Sequence, residues 1–339
     1  MAAEAADPRV SAGRGGQPRV LLTHASGARA EVYLLGATLT SFVTARGHEL
    51  LFVSPRAAFD GATPIRGGVP VCFPQFADQG ALPKHGFART QAWRLVEAGE
   101  GSALLELRDS PETRALWPHA FRLTLRVSFD ADTLGATLEV ENLDDGAGAA
   151  AGAAAGAAAG AAGGAAPLPF EFEALLHAYL SAGAGGVAGA RVGGLAGRQY
   201  RDKPSGGARR AEAGDAESFA LAGLGEVDRI YEAAPPEGGG APGDVELLLA
   251  AGGPCTRVRV HRKAAVRDAA RGPRLGAIEI VPCDVVVWNP GAARCAAIPD
   301  LEPESWRSYV CVEPGVVTSK VRLERGRAFA LQTMYICEA

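Results

Sequence analysis

The chain has 339 residues, with 34 Lys plus Arg against 38 Asp plus Glu and a formal net charge of -4. That near balance gives no bulk electrostatic pull on nucleic acid or on an anionic membrane, so neither is expected as a partner. Hydrophobic residues make up 47%, but the longest such tracts are alanine broken by glycine, which excludes a transmembrane helix.

In chain order, residues 1–18 read as a flexible N-terminus, with two early acids and no apolar run of a secretory signal. Short period-two segments then predict strands at 19–23, 31–35 and 104–107. Residues 121–129 (FRLTLRVSF) alternate apolar and polar, turn at 130–133 and resume as LGATLEVEN, the pattern of a half-buried β-hairpin. Residues 146–166 are alanine and glycine throughout and offer no side chain to anchor a core, so they read as a mobile surface insertion within the domain. Residues 181–225 mix glycine with charge and read as an irregular connection, and 235–243 (PPEGGGAPG) as another loop. Further strands are expected at 245–249, 257–260, 278–281 and 329–333, and no amphipathic helix exceeds about two turns. Many short strands with Gly and Pro punctuation predict an all-β fold, a large antiparallel sandwich forming one domain over 19–336.

Six cysteines (Cys72, Cys255, Cys283, Cys295, Cys311, Cys337) lie far apart without a Cys-x-x-Cys pair. No zinc ribbon or redox dithiol is written, and buried thiols in a reduced compartment follow. A cytoplasmic location is expected, with an organelle such as a plastid left open.

Four places carry chemistry. Residues 61–93 crowd Arg66, Lys84, His85 and Arg89 among turn formers; such a loop lets guanidinium and backbone close on an anion, unless each Arg merely pairs with a surface carboxylate. His177 ends an alternating strand in PFEFEALLHAYL, where a histidine is either a satisfied core residue or a catalyst. Asp228 with Arg229 forms a polar pair ahead of Ile230, readable as a surface turn pair. Glu313 closes the apolar alternation of Val310 and Val312 before Pro314 and Gly315; there it is either a carboxylate with a tuned pKa or a rim residue in solvent. Phosphate-loop, dinucleotide, His-Glu-x-x-His and Gly-x-Ser-x-Gly motifs are absent, which removes the usual support for nucleotide hydrolysis, nicotinamide redox chemistry, zinc proteolysis and lipase chemistry.

IRGGVPVCFPQF, LPKHGFAR, WPHAFRLTL, LLHAYL, VDRIY, VVWNP and YVCVEPG, in that order, resemble the glucose-6-phosphate 1-epimerases, a branch of the aldose 1-epimerase superfamily. The resemblance implies a galactose mutarotase-like supersandwich that interconverts hexose 6-phosphate anomers without metal or organic cofactor. It makes His177 the general acid and Glu313 the general base, and puts Arg66, His85, Arg89 and Asp228 on the sugar and its phosphate. Lys84 departs from the family pattern and is expected to face water. Ring opening needs a base at the anomeric hydroxyl and an acid at the ring oxygen, acting from different sides of the pyranose, with His177 protonated and Glu313 ionised. The alternatives are a mutarotase of unphosphorylated aldoses and a non-catalytic carbohydrate-binding protein on the same fold. Nothing marks an interface, and a monomer is expected.

Overall fold

The computed structural model describes residues 7–144, 168–214, 217–233, 243–270 and 278–339. Among them, antiparallel pairing builds three sheets of four, eight and ten strands, and only two six-residue α-helices occur, Pro111–Leu116 and Gly291–Ala296. The first helix has the local signals that start one. Ser110 caps it by accepting from the Thr113 N–H (3.3 Å), Thr113 Oγ1 accepts in return from the Ser110 N–H (2.8 Å), and Pro111 takes the first helical position.

The expected hairpin is the middle of the ten-stranded sheet. Phe121–Phe129 pairs with Thr133–Asn142 in the register that sets Leu125 opposite Leu138. Phe121, Leu123, Leu125, Val127 and Phe129 are buried while the residues between them are not. Arg327–Glu338 continues the sheet on one side of this pair and Ser102–Arg108 on the other. The inner face meets the inner face of the eight-stranded sheet, where Phe170, Phe172, Ala174 and Leu176 alternate with Val285, Val287, Val310 and Val312, in one continuous apolar core. The expected sandwich is therefore observed, at several points with longer strands than the local pattern suggests. Arg257–Asp268 runs well past residue 260, because its twelve residues pair in full register with Arg327–Glu338.

Two expectations change. Residues 181–225 are not a bare connection: Arg191–Gly193, Gln199–Asp202, Ala208–Ala211 and Ser218–Ala220 are short strands, the last two at sheet edges and the first two paired on both sides. At three or four residues each they are too short to display alternation, and neighbouring strands supply the ladder that period-two reading could not see. Paired backbone also begins ahead of residue 19, since Val10–Ala12 pairs with the strand that follows it. The Ala/Gly insertion at 146–166 and nearly all of 235–243 lie outside the described residues. On either side of the insertion, Asn142 Nδ2 donates to the Leu168 carbonyl (3.1 Å), which holds the flanks together.

Candidate active site

The outer face of the eight-stranded sheet supplies the floor of a cleft. Strand alternation sends Val310 and Val312 into the core, so Tyr309, Cys311 and Glu313 of Tyr309–Leu323 must face the other way. The same parity turns out Asp228 and Ile230 on Val227–Tyr231, and Val286 and Trp288 on Asp284–Asn289. Register then aligns them in rows. Ile230 lies opposite Val286 and Val286 opposite Glu313; Asp228 lies opposite Trp288, Trp288 opposite Cys311 and Cys311 opposite Tyr179. Gly315 is required where this strand meets Phe170–Leu176, since a Cβ there would stand 2.6 Å from Leu175 Cβ and 2.7 Å from the Ala174 carbonyl oxygen.

His177 follows directly after Phe170–Leu176, with its backbone N–H bonded to the Pro70 carbonyl (2.9 Å). Its ring stacks on Tyr179 (4.8 Å between centroids) and meets His85 and Trp288 edge-on, which fixes its plane. His177 Nδ1 lies 3.3 Å from Glu313 Oε1, yet the pair lacks hydrogen-bond alignment, and neither Glu313 oxygen has another protein partner. A buried carboxyl with both oxygens unpartnered costs stability and marks a place where a ligand hydroxyl would bind. Burial, then the charge of Asp228, pushes Glu313 well above the ordinary carboxylate value. Burial, then the charges of Arg89 and Arg66, pushes His177 well below the ordinary histidine value.

Both groups are desolvated and His177 faces guanidiniums, which favours the neutral imidazole and the neutral carboxyl over the ion pair while the cleft is unliganded. The two groups stand side by side on the floor of the cleft. The anomeric hydroxyl and the ring oxygen are substituents of the same carbon, so an adjacent acid and base can reach both.

The wall comes from the loop-rich segment 61–93. His85 has a left-handed backbone (φ 66°) and is followed by Gly86 (φ 69°), where a Cβ would lie 2.1 Å from the Phe73 carbonyl oxygen. The Ala77 N–H donates to His85 Nδ1 (3.3 Å), which assigns the remaining ring proton to Nε2. Burial holds His85 below the ordinary value, and His177 and Arg89 add to this, so it is a neutral imidazole at the cleft.

Five cationic side chains line this cleft, namely Arg66, Lys84, Arg89, Lys203 and Arg294. Three have carboxylate partners: Arg66 Nε donates to both oxygens of Asp300 (3.0 and 3.1 Å), Lys203 Nζ lies 3.2 Å from Asp228, and Arg294 lies 3.0 Å from Glu226. Arg89 instead donates to the Lys84 carbonyl (2.7 Å), and its buried Nε has no partner. Lys84, exposed at the rim, is held below the ordinary lysine value by burial and by the like charges of Lys203 and Arg294. Cations crowded closely enough to depress one another are arranged for an anion.

The structure thus brings Arg66, His85, Arg89, His177, Asp228 and Glu313 to one cleft. The reading of Asp228 and Arg229 as a surface turn pair is corrected. Asp228 faces the cleft, and Arg229 pairs with Glu212 (2.7 Å) while packing over Tyr200 and Phe219. Lys84 is both exposed and on the cleft. Sequence reasoning missed Lys203, Arg294, Phe76 and Trp288. Lys203 and Arg294 sit in a short turn and a short helix with no motif of their own; Trp288 stood within VVWNP and was legible as outward-facing by parity with Val286.

Comparison with known proteins agrees with this geometry. Residues 18–153 match the family model described as Aldose 1-epimerase. The chain is 30% identical over 305 residues to an Escherichia coli K12 protein named "Putative glucose-6-phosphate 1-epimerase", covering 88% of this chain and 83% of that one. It is 29% identical to a protein of the same name from Cenchrus ciliaris, over 92% of this chain and 82% of the other. A crystal structure of a "putative mutarotase" from Salmonella typhimurium superposes with a TM-score of 0.70 at 23% identity, covering 98% and 96% of the two chains. A galactose mutarotase related enzyme from Lactobacillus acidophilus gives 0.66 at 15% identity, over 95% and 97%, and both likenesses speak for the fold. On these grounds the chain belongs to the aldose 1-epimerase family, as a mutarotase of sugars alongside relatives named glucose-6-phosphate 1-epimerases.

Proposed function

We propose that the protein interconverts the α and β anomers of hexose 6-phosphates, glucose 6-phosphate first among them, with His177 and Glu313 as the acid/base couple. The observation that carries the reading is the 3.3 Å contact between His177 and Glu313 on the floor of a cleft walled by five cations, two of them without a carboxylate partner among the described residues. Arg89 and Lys84 take the phosphate, with Arg66 beside them. His85 donates from Nε2 and Asp228 accepts from sugar hydroxyls. The names of the two relatives support the phosphorylated substrate.

A bound phosphate offsets Arg89 and Arg66, the charges that after burial hold His177 down, and so moves the shared proton toward the imidazole. Glu313 then takes the proton of the anomeric hydroxyl while His177 protonates the ring oxygen. The bond between C1 and the ring oxygen breaks as the C1 carbonyl forms. Rotation about the C1–C2 bond presents the other carbonyl face. Ring closure returns one proton to His177 and takes one from Glu313, so the couple ends as it began.

Magnetisation-exchange NMR of the α and β anomeric signals tests this with glucose 6-phosphate, glucose and galactose in parallel, after subtraction of spontaneous exchange. Acceleration confined to the phosphosugar is expected. Equal acceleration of the free sugars would move the assignment to a general aldose mutarotase, and none for any sugar would leave a binding protein.

A further inference from the structure

Outside the cleft, His48, Cys255 and Cys337 meet at one end of the ten-stranded sheet. A ring nitrogen of His48 and the two Sγ atoms all lie within 4.8 Å of one another, and the three residues are 7%, 3% and 3% exposed. They come from distant parts of the chain, held by bonds that do not involve the cluster. Cys337 lies on Arg327–Glu338 opposite Val258, and the Thr256 N–H beside Cys255 donates to the Glu338 carbonyl (2.8 Å). His48 closes a turn in which the Thr44 N–H bonds its carbonyl (2.9 Å), and Arg46 in that turn donates to the Cys337 carbonyl (2.9 Å) and to Asp132 (3.1 Å). The Nε2 atom of His48 is buried without a hydrogen-bond partner. A buried imidazole nitrogen left unsatisfied on a ring that meets two thiols calls for an explanation, and a cation bound in the cluster supplies one.

We propose that His48, Cys255 and Cys337 bind one thiophilic d10 cation, with Zn2+ the one that fits. Two sulfurs and an imidazole select soft or borderline ions over Mg2+ and Ca2+. Charge chooses between the two d10 ions: two thiolates, a neutral imidazole and a dication sum to zero, as a buried site requires, whereas Cu+ leaves a net negative charge. Zn–S of about 2.3 Å and Zn–N of about 2.0 Å need ligand atoms roughly 3.3–3.8 Å apart, so small side-chain rotations close the site. Each thiol gives up its proton to solvent on binding, that of Cys255 being donated to the Arg257 carbonyl (3.2 Å) beforehand. Water takes the fourth position, with access past the exposed residues Ala45, Arg46 and Gly47.

The test uses the full chain, reduced and stripped of metal, titrated with Zn2+ against a chromophoric chelator, with Cu+ in a parallel anaerobic arm and Co2+ as a spectroscopic probe. One equivalent of Zn2+ is expected, with a Tm raised by a few degrees, and with Co2+ a thiolate-to-metal charge-transfer band that reports two sulfur ligands in the unaltered protein. Cys255→Ala and His48→Gln should each weaken binding by more than about 100-fold, beyond the 10–100-fold typical of residues that only orient a ligand, while Cys295→Ala should not. Should a variant fail to fold, the intensity of the cobalt band in the unaltered chain decides, since this site offers two thiolates and the cluster of His177, Cys311 and Glu313 only one. No stoichiometric binding, or a cobalt spectrum without thiolate bands, would overturn the site; tight Cu+ binding without Zn2+ binding would overturn the choice of ion.

Discussion

Replacing Glu313 by glutamine keeps the shape of the side chain and removes its proton chemistry, so activity and stability should move in opposite directions. A positioned acid or base contributes about 10²–10⁴-fold to a proton-transfer step, and a loss of that size in anomer exchange is expected, with glucose 6-phosphate binding retained by calorimetry. Stability follows from linkage. Burial, then Asp228, raises the Glu313 pKa in the folded chain above the ordinary 4.5, so above that pH the native state keeps a proton that the unfolded state has released. A carboxyl with a raised folded pKa contributes its full stability below the unfolded value and loses it as pH rises toward the folded value, at up to about 1.4 kcal/mol per pH unit. Glutamine does not titrate. The stability of the variant relative to the original should therefore grow as pH rises above the unfolded pKa and level off above the folded one, measured by urea unfolding across roughly pH 5 to 8. His177, whose folded pKa is lowered, has the opposite trend, with stability lost as pH falls through the ordinary histidine value, but it is present in both chains and largely cancels. Turnover near the original level would remove Glu313 from the chemistry, and a stability difference independent of pH would refute the burial argument.

Arg89→Ala should lower kcat/KM for glucose 6-phosphate by about 10–100-fold, the worth of a charged hydrogen bond of about 1.5–3 kcal/mol, and should hold or raise exchange of free glucose, since it removes a charge that keeps the His177 pKa low; equal losses on both would sink the phosphate role. Gly86→Ala places a Cβ 2.1 Å from the Phe73 carbonyl in a left-handed conformation and should destabilise the fold by about 2 kcal/mol or more, read from the shift in urea midpoint, and disturb His85 with it. A midpoint unchanged from the original would show that the loop relaxes freely. Replacing residues 146–166 by a short connection should leave activity intact and change stability by no more than about 1–2 kcal/mol, because the flanks are already held at Asn142 and Leu168 and closure entropy varies slowly with length. Loss of activity in a folded deletion variant would give the insertion a role at the cleft.

What the sequence made legible follows from period two. Alternation in FRLTLRVSF revealed the hairpin and its buried face, and the alternation of Val310 and Val312 implied that Glu313 points away from the core. Pattern could not tell which sheet a strand joins, since that depends on partners far along the chain. The short strands between residues 191 and 220 were hidden for that reason, as was the approach of His48 to Cys255 and Cys337. Residue types likewise suggested an anion site in 61–93 but not its completion by Lys203 and Arg294, which arrive from a turn and a helix where nothing local distinguishes them from surface cations. For His177 and Glu313 mutual attraction was expected to dominate, whereas burial, which opposes the charged form of both, is the largest influence on each in the unliganded cleft.

The division between strands and loops bears on selectivity. The distance between His177 and Glu313 is set by register, through Leu175 opposite Gly315 and Val286 opposite Glu313, inside a ladder that resists displacement. The groups proposed for the phosphate sit on loops, a short turn and a short helix, and three of the five cations are tied to carboxylates that offset their charge. A loop substitution can therefore change the net charge of the wall without moving the couple on the floor, which it reaches only through the charge felt by His177. Releasing one of those cations tests the separation directly. Asp300→Asn removes the carboxylate from Arg66 but keeps a hydrogen-bond acceptor, so affinity for the phosphosugar should rise or hold, while exchange of free glucose should hold or fall, because an Arg66 charge without its carboxylate lowers the His177 pKa further. A matching fall in both rates would mean that Asp300 positions Arg66 for the chemistry itself and that floor and wall are not separable.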